Sequence, residues 1–148
     1  MKMPQNAGND MKLLEVIYEG AQMGRDSIMQ LVKASDDAEF RRALEVQQTE
    51  YQKIMDDAEG QIRALGAEPE GLGLIAKVSS GVMSAVKTLA DDSVANMAEM
   101  MIQGSTMGVT KIKRRRGELE EVGEGADRLA DRLLRTEESN IESMKNFL

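Results

Sequence analysis

The sequence predicts an all-α protein: an antiparallel four-helix bundle of two helical hairpins joined by a long crossover that carries an extra short helix. Three observations lead there. The only prolines are Pro4 and Pro69, so long stretches of strong helix formers run without a breaker. Apolar residues recur at alternating spacings of three and four, the signature of a helix with one buried stripe. The gaps between the four long periodic segments run short, long, short, and a long middle gap is what a crossover needs.

Residues 1–9 are polar and are expected to form a disordered tail, leaving 10–148 as one domain. The first helix, about 10–34, carries Leu14, Ile17, Ala21, Ile28 and Leu31, with Gly24 in phase. It should stop at Lys33-Ala34-Ser35, where Asp36 followed by Glu39 offers an N-cap and a capping-box variant. The second, about 36–65, places Phe40, Leu44, Gln47, Tyr51, Ile54, Ala58, Ile62 and Leu65 on one stripe. Gly66 is its left-handed terminator before Pro69.

Ile75, Val78, Val82, Ala85 and Leu89 then predict a shorter, more apolar helix over 72–89. The next long helix, about 92–117, opens at Asp91-Asp92-Ser93, a good cap, and runs through Val94, Ala98, Met101, Ser105, Gly108 and Ile112 to the basic end Lys111 to Arg116. The last, about 125–147, follows the Gly123-Glu124-Gly125 turn with Ala126, Ala130, Leu133, Glu137, Asn140, Met144 and Phe147 inward. About 25 residues between the second and third long helices are enough to return along a 30-residue helix of about 45 Å, so those two helices should run parallel.

Composition narrows the function classes. There is no Cys and no His, which removes disulfides, thiol nucleophiles and imidazole bases, and the reading leans away from an enzyme. With two Phe, two Tyr, no Trp and twelve Met, the core has to be aliphatic and adaptable. A net charge of −7 disfavours nucleic acid as a partner. The chain has no apolar signal region and no run of about 18 apolar residues, so no membrane partner and a cytoplasmic location are expected.

Two segments carry a resemblance. The last helix, LLRTEESNIESMKNFL, and the second, LEVQQTEYQKIMDDAEGQIRALG, resemble the two helices of ferritin-like bundles that hold Glu-x-x-His pairs. Glu137 and Asn140 stand at those places in the last helix, and Glu50 and Lys53 in the second. The segment AEMMIQGSTMG is similar to small, functionally uncharacterised ferritin-like proteins of anaerobic bacteria, a branch with a degenerate metal site. The family's di-iron centre needs both histidines; with neither present, the resemblance implies a metal-free bundle without cofactor. The alternative it leaves open is an iron- or manganese-binding protein or small oxidase using Glu50, Glu137, Glu99 and Glu19 as non-standard ligands.

The remaining features have structural readings. Gln47, Tyr51, Lys53, Glu137 and Asn140 are expected to make a buried polar layer that fixes helix register, with the Lys53 ammonium neutralising Glu137. Gly104 and Gly108 cost a helix interior about 1 kcal/mol each relative to Ala, which points to close packing of that helix against Gly24. Methionines at helical spacing are core or interface before they are soft-metal ligands. The Lys111 to Arg116 run complements the helix dipole beside acidic neighbours. Together these predict a structural or protein-interaction module, associating with itself as a homo-oligomer or with another protein.

Overall fold

A computed structural model describes residues 7–69 and 93–148, and among them every regular element is α-helical. There are four helices: α1 (Ala7–Ala34), α2 (Ala38–Ala64), α3 (Val94–Glu118) and α4 (Glu124–Lys145). The expected helix over 72–89 lies outside the described residues.

The helix boundaries have local causes. Helix α1 begins at Ala7, within the expected tail, because its first turn is tied to the opposite hairpin. Asn9 donates to the Glu121 carbonyl at 2.8 Å, and Asp10 accepts from the Gly123 amide at 2.6 Å. Helix α2 is capped by Asp37, not by Asp36: its carboxylate accepts from the Phe40 amide at 2.8 Å, while Ser35 Oγ accepts from the Asp37 amide. The end of α2 matches expectation, with Gly66 at φ 81° and the amides of Gly66 and Ala67 returning to the carbonyls of Arg63 and Ile62. Ser93 caps α3 by accepting from the Asn96 amide. That helix runs one residue past Gly117, to Glu118.

Both hairpins, α1 with α2 and α3 with α4, pack closely, and α2 also lies beside α4 and α1 beside α3. End-to-end contacts fix the directions. The start of α1 meets the α3–α4 turn through Asn9 and Asp10, and Gln61 near the end of α2 donates to the Gly125 carbonyl at the start of α4. At the far end, Phe40 of α2 packs edge-on against Phe147 just beyond α4, with ring centroids 5.3 Å apart. Neighbouring helices are therefore antiparallel, and α2 ends where α3 ends. The parallel diagonal pair α2 and α3 is the relation that a long crossover produces.

The core runs the length of the bundle on the expected stripes, from Leu13, Leu14 and Ile17 through Ala21 and Ile54 to Phe40, Leu31 and Met144. Helices α1 and α4 also approach across the other diagonal, where Leu133 packs against the Gly20 surface. Small residues at this level, Gly20, Ala21 and Ala130, let the two helices come together. Arg116 reaches from α3 to Asp127 and Asp131 of α4 at 2.7 Å each and holds the second hairpin. No helix among the described residues is long and apolar enough to cross a membrane.

Candidate functional site

Halfway along the bundle the apolar stripe is interrupted on three helices. Tyr51 comes from α2, Ser105 from α3, and Glu137 with Asn140 from α4, where a spacing of three puts both on the inward face. The Tyr51 hydroxyl donates to Glu137 Oε1, and Asn140 Nδ2 donates to the Tyr51 oxygen at 3.1 Å. Tyr51 and Glu137 keep only 1% and 5% of their surface in water, so these hydrogen bonds stand in place of hydration.

Burial pushes the Glu137 carboxyl up to about 7; the hydrogen bond from Tyr51 and the polarity of the Ser105 hydroxyl close by pull it down without restoring the ordinary 4.5. Tyr51 is raised too, by burial first and then by the neighbouring carboxylate, and stays a phenol at any working pH. Ser105 Oγ faces this pair but completes a well-formed hydrogen bond with neither, and it is buried.

Two glycines make room for the cluster. A Cβ on Gly24 of α1 would stand 2.6 Å from the Tyr51 ring, and one on Gly108 of α3 would run into Glu137 Oε2. The expected close approach of the α3 glycines to Gly24 is therefore corrected: each of these two glycines receives a side chain from α2 or α4. Gly104 departs further, since a Cβ there would meet nothing within 4 Å among the described residues. Among them it lines a cavity.

Lys53 is also corrected. It is exposed, and its only ion pair among the described residues is with Glu50 at 3.5 Å. Two positions along a helix is about 200° of rotation, so with Tyr51 facing inward Lys53 faces out. Gln47, one turn before Tyr51, is buried, but neither of its amide atoms has a hydrogen-bond partner among the described residues. It lines a second cavity of about 320 Å³ between α2 and α4, together with Asn140, Glu50 and Arg132.

The carboxylates considered as metal ligands do not converge. Glu50 lies at the α2–α4 surface beside Arg132 at 3.5 Å, and Glu99 is exposed on α3. Glu19 is half-buried on α1, its pKa raised by burial first and then by Glu15. Among the described residues no three His, Cys, Asp or Glu side chains are placed to hold a metal ion. Glu137, the one carboxylate at the centre, is bonded to a phenol that is itself held by an amide. That donor set does not fit a di-metal centre, which needs bridging carboxylates and imidazoles.

The cluster opens on a groove of about 520 Å³ between α1 and α3. Its sides include Met23, Met100, Met101 and Gly104; Tyr51, Ser105 and Glu137 form its floor; Lys111, Arg114 and Glu19 stand at one end. Sequence reasoning placed Ser105 on the buried stripe without giving it a role at the site. Its polar character at an inward position was the available signal. The groove had no such signal, because it depends on how far apart α1 and α3 stand. Comparison with known protein families, with curated proteins and with solved structures gives no match for this chain.

Proposed function

We propose that this chain is a metal-free bundle of ferritin-like topology that acts by binding and not by catalysis. The observation that carries the reading is the state of Glu137. A central carboxylate that bridged metals would be shared between cations, whereas this one accepts from Tyr51 and faces Ser105. What supports the ferritin-like assignment is the arrangement of two hairpins with the second and third long helices parallel. What supports binding is a roomy, mainly apolar groove floored by the polar cluster.

Untagged protein purified without chelator should contain far less than one equivalent of iron or manganese. Added iron(II) or manganese(II) should leave its melting temperature unchanged, since a ligand stabilises only what it binds. Stoichiometric metal, or metal-dependent stabilisation lost in Glu137→Gln, would overturn the proposal in favour of a carboxylate metal protein.

A further inference from the structure

The α1–α3 groove has a direction. From Val16 to Leu31, the α1 residues that line it span 15 positions, about 22 Å of helix axis. At the end near Val16 stand Lys111 and Arg114 of α3 with Glu19 of α1, whose charge Lys111 feels; neither cation makes a direct ion pair among the described residues, whereas Arg115 nearby pairs with Glu118 at 3.1 Å. At the other end the lining is apolar: Leu31, Met100 and Met101 with the bare surface of Gly104. Between them, about 9 Å along α3 from Lys111, the buried Ser105 hydroxyl lacks a completed hydrogen bond and Glu137 lies below Gly108.

Resting on the reading of this bundle as a binding protein, we infer that the groove takes a single-chain amphiphile. The ligand has an anionic head, a carboxylate or phosphate, at Lys111 and Arg114. It carries a hydroxyl or carbonyl partway along its chain, at Ser105. Each part follows from a separate feature. At the mouth of the apolar trough Lys111, Arg114 and Arg115 outnumber Glu19 and Glu118, which favours an anion whose attached chain removes apolar wall from water. Methionine walls adapt to a flexible chain. An unsatisfied buried hydroxyl gains from an oxygen that a plain alkyl chain lacks.

Monomeric palmitate, stearate and a mid-chain hydroxystearate, titrated calorimetrically into the full chain, should each bind saturably near one equivalent, the hydroxystearate tightest. Hexadecanol should bind at least about tenfold more weakly than palmitate, and Lys111→Glu with Arg114→Glu should weaken palmitate by a similar factor. Ser105→Ala should remove the advantage of hydroxystearate over stearate. Gly104→Leu, at a position where a Cβ meets no described residue within 4 Å, should block all of them without lowering the melting temperature.

Failure of every fatty acid to bind the folded wild type would overturn the inference. So would binding indifferent to both the charge reversal and Gly104→Leu, or binding only to anionic phospholipid vesicles. If Gly104→Leu instead lowers the melting temperature and no amphiphile binds, the groove is filled by protein and the inference fails. None of these results bears on metal content, so the metal-free reading stands or falls on its own test.

Discussion

Glu137 shows how one buried group ties the site to stability. Its proton is held more tightly in the folded chain, with a pKa of about 7, than in the unfolded chain at its ordinary 4.5. The folded state therefore binds more protons between those values, and stability falls as pH rises through that window. The contribution is complete below about pH 4.5 and lost above about pH 7, a swing of up to about 3 kcal/mol. Glu137→Gln can still accept from Tyr51 but does not titrate. Urea unfolding at pH 5 and pH 8 should show a decline in the wild type that is much reduced in the variant, and the variant should be the more stable protein at pH 8. Equal slopes would mean that Glu137 is hydrated in the native state.

The glycines give a sharper residue-scale test because three similar substitutions should diverge. Gly24→Ala meets the fixed Tyr51 ring, and Gly108→Ala displaces a carboxylate held in a buried hydrogen bond; each should cost about 1 to 3 kcal/mol. Gly104→Ala meets no described residue within 4 Å and should stabilise by up to about 1 kcal/mol. Thermal unfolding of the three variants separates these outcomes. A destabilising Gly104→Ala would place another surface against that helix.

At the scale of elements, the helices depend on their caps as much as on their stripes. Asp37→Ala removes the acceptor for the Phe40 amide, and Ser93→Ala that for Asn96. Each should lower stability by about 0.5 to 2 kcal/mol in denaturant melts. Asp36→Ala should change little, since Asp37 holds the cap. Two adjacent aspartates are equivalent to a sequence pattern; which one caps is decided by where Ser35 turns the chain. The same limit explains Lys53, whose spacing from Glu50 matched a family motif while its position on the helix turned it to solvent. Helix α4 shows the opposite case, because Glu137 and Asn140 share the phase of Leu133 and Met144 and are buried with them.

For the whole molecule, the two hairpins are held at one end by side chains from the very start of α1. The α4 N-cap, Gly123, has no side chain to bond its own first turn, and its amide is held by Asp10. Asp10→Ala should therefore cost about 1 kcal/mol, although it lies 113 residues from its partner. Hydrogen exchange should show the loss in the first turn of α4; protection there identical to wild type would contradict the interlock.

The four long helices, their inward stripes, the pairing into two hairpins and the parallel relation of α2 to α3 were legible in the residue pattern. Periodicity and loop length are local quantities, and four amphipathic helices have few ways to bury one face each. That pattern also placed Tyr51, Glu137 and Asn140 inward. Packing in three dimensions sets the rest: Tyr51 bonds Glu137, Gly24 and Gly108 receive those side chains, Lys53 stays out, and a groove with a charged end opens between α1 and α3. Those features depend on helix rotation and separation to within a bond length. Such quantities are set by how all four side-chain surfaces interdigitate at once, which no single helix encodes.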